Sequence, residues 1–286
     1  MPNTAPRSYL MANISPDQSP QSLQTCDPVW TTLREEAEAA ALAEPALSGF
    51  IYKNILSHTR LEDAVTYRLS QRLKDSDVDQ ALLLQAFEDV LGEVPELGPI
   101  FRVDLAAVLS RDPACHRHIE PLLYYKGFHA IETHRFAHEL WKIGRNDFAL
   151  YLQSQASKVF AIDIHPAAKI GQGLMFDHGT GIVIGETSEI GDNSSILHGV
   201  TLGGTGNEES DRHPKIGSNV LIGAGAKILG NIKVGCCARV ASGSVVLQDV
   251  PHDMTVAGVP AKVVGPAGCA EPARAMNQMF NCDEET

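Results

Sequence analysis

Asp163, Asp177 and His178 are residues whose types and spacing suit proton transfer. A carboxylate that holds an imidazole ring in one tautomer lets that ring act as a general base toward an alcohol. We therefore predict that His178 is a general base and that Asp163 orients it. The alternative is that Asp163 caps a corner of the chain and His178 is an ordinary exposed side chain.

A second group of reactive side chains lies in the segment 203–215, which reads GGTGNEESDRHPK. Arg212 carries a planar guanidinium fork that suits a carboxylate, and His213 beside it can share in binding or proton transfer. Gly203, Gly204 and Gly206 leave backbone N–H groups open to a carbonyl or a phosphate. The segment therefore predicts a binding loop, with a mobile surface loop as the alternative.

A six-residue repeat surrounds both groups and must position them. A period of six fits neither an α-helix, at about 3.6, nor a plain strand, at about 2, whereas hexapeptide repeats build parallel β-helices. The aliphatic residue of each hexad is expected to point into the narrow core. These positions are Ile164, Ile170, Phe176, Ile184, Ile190, Ile196, Leu202, Ile216, Ile222, Ile228, Val234, Val240 and Val246.

Two spacings connect the repeat to the reactive residues. Asp163 and His178 are fifteen residues apart, a little under one coil of about 18 residues. We therefore expect the two side chains to lie near each other on adjacent coils. Leu202 and Ile216 are fourteen residues apart, so the repeat leaves its register there, and a loop ejected from a regular solenoid is typically functional.

The chain divides into four predicted segments. They are a disordered tail over 1–26, a helical domain over 27–160, the β-helix over 161–265 with the loop 203–215, and a C-terminal tail over 266–286. Asp27 followed by Pro28 predicts a helix N-cap. Gly144 predicts a C-cap between the last two helices. Helical spacing predicts further helices over 47–56, 61–73, 79–91, 97–109, 129–143 and 147–159.

Composition limits the classes of function. The formal net charge of -12 argues against nucleic acid or an anionic membrane as the main partner. No stretch approaches the roughly 18 apolar residues of a membrane span. The six cysteines contain no CxxC pair, which favours reduced thiols in a reducing compartment. We expect the cytoplasm, with the plastid as the alternative.

Several strings resemble serine O-acetyltransferase, a family of hexapeptide-repeat acyltransferases, and the resemblance runs from about Asp27 to Gly265. They are DIHPAAKIG (163–171), DHGTGIVIGET (177–187), VTLGGTG (200–206) and DRHPKIG (211–217), with SRDPA (110–114) in the helical region. The resemblance implies an α+β chain whose all-helical N-terminal domain precedes a left-handed parallel β-helix. It also implies transfer of acetyl from acetyl-CoA, a co-substrate, to L-serine, which gives O-acetyl-L-serine for cysteine biosynthesis. No metal and no further cofactor are expected.

The resemblance assigns roles position by position. His178, oriented by Asp163, removes the proton of the serine hydroxyl, and His213 is a further catalytic candidate. The four residues implied to hold the charged ends of serine are Asp112 and Asp177 for the ammonium, and Arg212 and His213 for the carboxylate. The residues implied for acetyl-CoA are Gly204, Thr205, Ala224, Gly225, Ser242 and Lys262. Glu186 also matches a family position, with a structural and a catalytic role both open, and His198 is interpreted as part of the site wall.

The resemblance further implies partners. The family forms trimers of β-helices with active sites in the clefts between neighbours, and its helical domains pair two trimers into a hexamer. L-cysteine competes for the serine site. The family's C-terminal tail ends in isoleucine and inserts into O-acetylserine (thiol)-lyase. This chain ends NCDEET (281–286), so we expect that contact to be absent or to use another anchor.

Rival functions from other classes are open. Trimeric β-helices also serve as zinc carbonic anhydrases, and a catalytically silent scaffold would regulate a partner enzyme instead. The repeat has four histidines but no close HxxxxH pair: His165, His178, His198 and His213. Within the acyltransferases, homoserine or a sugar amine could replace serine. His134 and His138, four residues apart on a predicted helix, are interpreted as a surface pair and not as a metal site.

Overall fold

The computed structural model describes residues 27–206 and 209–279. Helices occupy its first half: Pro28–Ala43 (α1), Ser48–Ile51 (α2), Leu61–Leu73 (α3), Gln80–Glu93 (α4), Leu97–Arg111 (α5), Ile119–Tyr124 (α6), Lys126–Lys142 (α7) and Asn146–Phe160 (α8). Within the described residues, no helix is long and apolar enough to cross a membrane. The predicted tail over 1–26 lies outside the described residues.

The ends of these helices follow the capping chemistry of the sequence. The Asp27 side chain accepts a hydrogen bond from the backbone N–H of Trp30 at 3.2 Å, and Pro28 is the first residue of α1. The predicted N-cap is confirmed. Gly144 follows α7 with a φ of 81°. This left-handed conformation favours glycine and turns the chain from α7 into α8.

The segment 45–56 departs from the single helix predicted over 47–56. It consists of a 3₁₀ turn at Pro45–Leu47, then α2, then a π-helical turn at Tyr52–Leu56. Arg34 closes the end of the π-helical turn by donating to the carbonyl oxygens of Leu56, at 3.3 Å, and His58, at 2.7 Å. π-helical turns are rare in proteins, and those that do occur are often found at functional sites.

A parallel β-helix begins directly after α8. Its strands are Ile162–Ile164 (β1), Lys169–Ile170 (β2), Met175–Asp177 (β3), Ile182–Ile184 (β4), Glu189–Ile190 (β5), Ser195–Leu197 (β6), Thr201–Gly203 (β7), Lys215–Ile216 (β8), Leu221–Ile222 (β9), Lys227–Leu229 (β10), Lys233–Val234 (β11), Arg239–Val240 (β12), Val245–Val246 (β13), Met254–Gly258 (β14) and Ala261–Pro266 (β15). The predicted class, a helical region followed by a β-helix, is confirmed.

The strands form three sheets, one for each face of the coils. The first sheet has the order β1-β4-β7-β10-β13, the second β11-β8-β5-β2, and the third β15-β14-β12-β9-β6-β3. The strands pair in parallel except β15, which runs antiparallel to β14. Along each coil the chain passes from the first sheet to the second through corner 1, and from the third sheet back to the first through corner 3. Corner 1 comprises residues 165–168, 185–188, 204–206 with 209–214, and 230–232. Corner 3 comprises 178–181, 198–200, 223–226 and 241–244.

The length of each coil is fixed by the register of the first sheet. Ile184 pairs with Leu202, and Ile228 with Val246, so these coils contain eighteen residues. Ile164 pairs with Ile184 across a coil of twenty residues, because Phe176 and Ile184 are eight positions apart in place of six, which puts two extra residues around corner 3. Leu202 pairs with Ile228 across twenty-six residues, because corner 1 of that coil is the long loop. The hexad aliphatics form the core, and Ile184, Leu202 and Ile228 are at most 1% exposed.

Helix α7 attaches the helical region to the first coil. His134 donates from Nε2 to the carbonyl oxygen of Ala168 at 3.1 Å, and His138 donates from Nδ1 to that of Pro166 at 2.8 Å. The predicted surface pair is wrong, because this face of α7 is covered by the β-helix. Arg135 adds an ion pair with Asp104 at 2.5 Å inside the same contact.

The chain after the β-helix returns to the helical region. A short helix, Pro272–Ala275 (α9), contacts α5 and β9. The hydroxyl of Ser195 donates to the carbonyl oxygen of Ala273 at 2.8 Å, and Arg239 donates to that of Asn277 at 3.1 Å. The C-terminal segment 267–279 is therefore packed against the third sheet.

Candidate active site

His178 lies at corner 3 of the first coil, directly after β3. Its φ of 55° is left-handed, an uncommon conformation for a residue other than glycine. Its Nε2 lies 3.9 Å from an Asp177 carboxylate oxygen, and its side chain is 78% exposed. The ring of His198, one coil further on, is 6.0 Å away. The two extra residues of this corner therefore present an accessible imidazole beside a carboxylate.

A pocket of about 410 Å³ opens beside His178. Asp112, Asp177 and His178 all line it, so three of the predicted site residues meet in one cavity. Asp112 reaches it from the C-terminal end of α5, where its side chain also accepts from the backbone N–H of Ala114 at 2.8 Å. The start of α7 closes another wall with Lys126 and Phe128. Two carboxylates beside an imidazole suit a ligand that carries a positive charge and a proton to lose.

Asp163 does not contact His178 in this chain. It lies on β1, and its carboxylate accepts from the Gln153 side chain of α8 at 2.7 Å. Among residues 27–206 and 209–279, no hydrogen bond or ion pair joins Asp163 to His178. The expected orienting contact is thus replaced here by the amide of Gln153, and the catalytic role of Asp163 stays a prediction.

Corner 1 brings together a second group, in which Thr187 is central. The Thr187 hydroxyl oxygen accepts from the backbone N–H groups of Arg212, at 3.1 Å, and His213, at 3.0 Å. Arg212 in turn pairs with Glu186 at 2.6 Å. This hydrogen bond lowers the pKa of the Glu186 carboxyl, which keeps it ionised. The end of the loop is therefore fixed to the preceding coil, which disfavours a mobile surface loop.

The tautomer of His213 follows from its neighbours. The backbone N–H of Thr187 donates to His213 Nδ1 at 3.2 Å, so Nδ1 accepts and the proton of the neutral ring is on Nε2. Burial, and then the charge of Arg212, lower the pKa of His213. Near neutral pH the ring is therefore uncharged, with an Nε2–H available as a donor beside Arg212.

Two glycines make room for this arrangement. A Cβ at Gly185 would lie well inside van der Waals contact of His213 Nε2. A Cβ at Gly204 would lie 3.1 Å from the Arg212 side chain and 3.3 Å from His213 Nε2. Thr205 follows Gly204 at the start of the loop and is exposed. The predicted binding loop thus begins and ends beside the same imidazole.

Three of the six predicted acetyl-CoA residues lie along corner 3, on the coils that follow His178. Ala224 and Gly225 are at that corner, and the N–H of Gly225 donates to the carbonyl oxygen of His198 at 2.9 Å. Ser242 lies one coil further and donates from its hydroxyl to the Gln278 side chain at 3.2 Å. Lys262 is exposed on β15. The small residues of corner 3 therefore lie in line on successive coils, and the last of them contacts the C-terminal segment.

Gly204 and Thr205, in contrast, lie with Arg212 at corner 1. Corners 1 and 3 are at opposite ends of the first sheet, so one chain does not bring the two groups of predicted residues into one pocket. Corner 1 also contains His165, whose pKa is lowered by burial. Within the described residues, no group of three or more histidine, cysteine, aspartate or glutamate side chains could hold a metal ion.

Comparison with known proteins identifies the family. Residues 29–133 match the family described as "Serine acetyltransferase, N-terminal". The serine acetyltransferase of Salmonella typhimurium is 49% identical over 253 residues, which cover 88% of this chain and 93% of that protein. This chain belongs to the serine acetyltransferase family. The resemblance seen in the sequence is confirmed, and the chain is an acyltransferase.

Solved serine acetyltransferases share the fold. The structure from Brucella abortus strain S19 in complex with coenzyme A has a TM-score of 0.85 and 56% sequence identity, covering 87% of this chain and all of that one (100%). A serine acetyltransferase in complex with cysteine has a TM-score of 0.87 and 50% identity, covering 88% of this chain and 98% of that one. Membership of this family replaces the carbonic anhydrase and scaffold hypotheses.

Sequence reasoning missed Thr187 and Gly185 as site residues. Both lie in the corner that precedes β5, and both act on a histidine more than twenty-five residues later in the chain. The signal available in the sequence was the position of Glu186 between them, which matched the family without a definite role. Its ion pair with Arg212 now supplies one.

Proposed function

We propose that this chain transfers the acetyl group of acetyl-CoA to the hydroxyl of L-serine and releases O-acetyl-L-serine and CoA. The observation that supports this proposal most directly is the pocket in which Asp112, Asp177 and His178 meet. It offers negative charge for an ammonium group and an imidazole for a hydroxyl proton. Family membership supplies the acyl donor.

In the proposed reaction, His178 takes the serine hydroxyl proton as that oxygen attacks the thioester carbonyl carbon. The C–O bond forms, and the tetrahedral intermediate then collapses with cleavage of the C–S bond. The proton on His178 passes to the departing CoA sulfur, so the base is restored. Backbone N–H groups near Gly204 and Thr205 would stabilise the oxyanion that develops on the carbonyl oxygen.

Serine recognition is proposed to use both of its charged ends. Asp112 and Asp177 would bind the ammonium, while Arg212 and the neutral His213 would bind the carboxylate. A molecule that lacks either end leaves a charged group of the site without its partner, which is a strong basis for selectivity. This requirement favours L-serine over a sugar amine.

The site is proposed to form between two copies of the chain. Asp112, Asp177 and His178 meet in the pocket beside corner 3, whereas Arg212 and His213 lie at corner 1. One serine molecule cannot contact both corners of the same coil. A trimer would bring corner 1 of one copy against corner 3 of its neighbour, and this is the heterologous, ring-closing contact that cyclic symmetry requires. The helical domains would pair two such trimers into a hexamer.

Acetyl-CoA is proposed to lie along the same cleft. Ala224, Gly225 and Ser242 would border the pantetheine arm on corner 3, and Lys262 on β15 would reach the phosphate end. Gly204 and Thr205 of the neighbouring copy would face the thioester.

Asp163 is proposed to support the base, and His198 only to border the site, and neither binds substrate. Asp163 would orient His178 once its carboxylate turns from Gln153, and His198 would form part of the wall. Glu186 would fix the direction of the Arg212 fork through the 2.6 Å ion pair.

L-cysteine is proposed as an inhibitor, because it has the same ammonium and carboxylate as serine with a thiol in place of the hydroxyl. The proposed compartment is the cytoplasm, in keeping with the free thiols of Cys115, Cys236, Cys237 and Cys269. The contact with O-acetylserine (thiol)-lyase concerns residues 281–286, which lie outside the described residues.

The first test is release of CoA thiol from acetyl-CoA by the purified protein. L-serine, L-homoserine, D-serine and a sugar amine would be offered in parallel. We expect release that depends on L-serine and is suppressed by L-cysteine. Release with the sugar amine alone, or no release with any of the acceptors, would contradict the proposed substrate.

The shared site is tested by mixing two inactive variants. Subunits carrying His178→Ala and Arg212→Ala are dissociated, mixed in equal amounts and reassembled. If the two residues come from different copies, random mixing restores a complete site in about one cleft of four. If they act within one chain, every cleft lacks one of them and activity does not return.

A further inference from the structure

A second pocket lies on the helical domain, away from both corners of the β-helix. Its volume is about 360 Å³, and Lys53, Asn54, Tyr67 and Arg68 are among the residues that line it. We call it the helical pocket. We propose that it binds a small anion that carries its own hydrogen-bond donor, such as a hydroxycarboxylate or hydrogen phosphate.

The helical pocket has positive charge without a matching carboxylate. Arg68 lies with its guanidinium 5.1 Å from the centre of the Phe50 ring, and it donates from Nη2 to the carbonyl oxygen of Leu123 at 2.5 Å. Throughout residues 27–206 and 209–279, no aspartate or glutamate forms an ion pair with Arg68. Burial, followed by the charge of Arg72, lowers the pKa of Arg68 to about 10. Arg68 therefore stays charged at neutral pH and is left for an external anion to neutralise.

Two of the residues that line the pocket each have a buried polar atom without a hydrogen-bond partner among the described residues. Asn54 is only 4% exposed, and its Nδ2 donates to the carbonyl oxygen of Phe50 at 2.8 Å. That bond fixes the amide orientation and turns Oδ1 the other way. Within the described residues, neither Asn54 Oδ1 nor Arg68 Nε has a hydrogen-bond partner. Buried polar groups normally have one, so these two atoms indicate a ligand.

The chemistry of the ligand follows from this pair of atoms. An anionic oxygen can accept from Arg68 Nε and from the exposed ammonium of Lys53, and a hydroxyl on the same molecule can donate to Asn54 Oδ1. A water molecule could satisfy the hydrogen bonds, but it would leave the charge of Arg68 uncompensated. An anion without a donor, such as acetate, would leave Asn54 Oδ1 unsatisfied. We therefore expect selectivity for anions that carry a hydroxyl.

The helical pocket is mechanically connected to the candidate active site. Asn54 is part of the π-helical turn Tyr52–Leu56. The ring of Phe50 stacks on that of Tyr124 with 6.3 Å between their centres, and Tyr124 lines the pocket that contains His178. Arg68 holds the carbonyl of Leu123, the residue before it. We expect an anion in the helical pocket to change KM for serine more than KM for acetyl-CoA.

The binding test must exclude the catalytic cleft, which also attracts anions. We would therefore use the Arg212→Ala variant saturated with CoA, and titrate it calorimetrically with hydrogen phosphate, glycolate or acetate at constant ionic strength. We expect phosphate or glycolate to bind at least about tenfold more tightly than acetate, because only they can donate to Asn54 Oδ1. Lys53→Gln should weaken binding about fivefold, and Arg68→Gln should abolish it. Lys74→Gln, which removes another exposed lysine beyond the end of α3, should bind as before.

Several results would contradict anion binding in the helical pocket. Equal heats from the three salts, or equal binding by Lys53→Gln and Lys74→Gln, would reduce the effect to ionic strength and overturn it. If Arg68→Gln does not fold, Lys53→Gln decides, because its side chain is exposed. If no anion binds and Lys53→Gln instead dissociates the oligomer in sedimentation, the positive charge belongs to a subunit contact and the proposal is wrong. Each of these outcomes can occur whether or not the chain acetylates serine.

Discussion

Corner 1 and corner 3 of the β-helix each contain a histidine of the candidate site. The histidine of corner 1 is enclosed and held by hydrogen bonds, whereas that of corner 3 is exposed. At corner 1, His213 is 7% exposed, and Thr187 fixes its tautomer while Glu186 fixes Arg212. At corner 3, the His178 side chain is 78% exposed and lies 3.9 Å from the nearest carboxylate oxygen of Asp177. One chain thus completes the group suited to a carboxylate and leaves the group suited to proton transfer open.

This difference teaches which parts of the site a single chain can preorganise. A guanidinium fork that binds a carboxylate can be rigid without losing affinity, since its ligand has a fixed shape and charge. A general base must accept a proton and then give it to a different atom, so its surroundings are completed by the substrate and, as proposed, by a neighbouring copy. The comparison therefore predicts different kinds of damage at the two corners.

The largest effect is expected from His178→Ala. Loss of a positioned general base lowers kcat by about 10²–10⁴-fold. Because the side chain is exposed, we expect the fold and the oligomer to be unaffected. Steady-state kinetics and sedimentation measure the two properties. His198→Ala, which removes the neighbouring exposed ring, is the matched control and should leave kcat nearly unchanged. Near-normal turnover in His178→Ala would remove this residue as the base.

A smaller, selective effect is expected from Arg212→Ala. Hydrogen bonds to a charged group contribute about 1.5–3 kcal/mol, so KM for serine and the inhibition constant of cysteine should rise by roughly 10–100-fold. KM for acetyl-CoA should not change. Lys169→Ala, which removes an exposed cation of the second sheet that pairs with Glu189 at 3.3 Å, is the control. Weaker acetyl-CoA binding with intact serine binding would show that the loop was assigned to the wrong substrate.

Corner 1 was predicted from the sequence because it interrupts the hexad register, whereas His178 at corner 3 was predicted from its residue type and its spacing from Asp163. Phe176 and Ile184 are eight residues apart, and Leu202 and Ile216 fourteen, where regular spacing requires six or twelve. The extra residues cannot enter the core, so they must leave the coil, and they include His178 and Arg212. Period and register therefore indicated the fold and the loop that carries Arg212 and His213, while the register break at Phe176–Ile184 was not recognised from the sequence.

The remaining features depend on contacts that spacing does not encode. Thr187 binds residues twenty-five and twenty-six positions later only because a coil of unusual length returns the chain to it. His134 and His138 looked like a surface pair because the helical pattern cannot say which polar face will be covered by another domain. The carboxylate of Asp163 accepts from Gln153 of α8, a partner that only the packing of α8 on the first coil supplies.

Gly185→Ala should damage corner 1 alone, and by less than loss of Arg212. The new Cβ would displace His213 Nε2. The ring is enclosed and cannot rotate away without losing the hydrogen bond between its Nδ1 and the Thr187 hydroxyl. We expect kcat/KM for serine to fall by about 5–10-fold, which corresponds to one hydrogen bond. Gly92→Ala is the control, since a Cβ there meets nothing within 4 Å. Equal kinetics for the two variants would mean that His213 takes no part in binding.

The smallest effect concerns the response of corner 1 to acid. Burial lowers the pKa of His213 below its ordinary value of 6.5, so the unfolded chain binds this proton more readily than the folded one. The stability contributed by the neutral ring is therefore complete above pH 6.5 and is lost as pH falls from there toward the lowered pKa. We expect the difference in melting temperature between the wild type and His213→Gln to shrink by about 1–2 °C between pH 7.5 and pH 5.5. His198→Gln, with its ring exposed at corner 3, should show no such change. A pH response that survives in His213→Gln would assign the titration to another group and remove the distinction between an enclosed and an open corner.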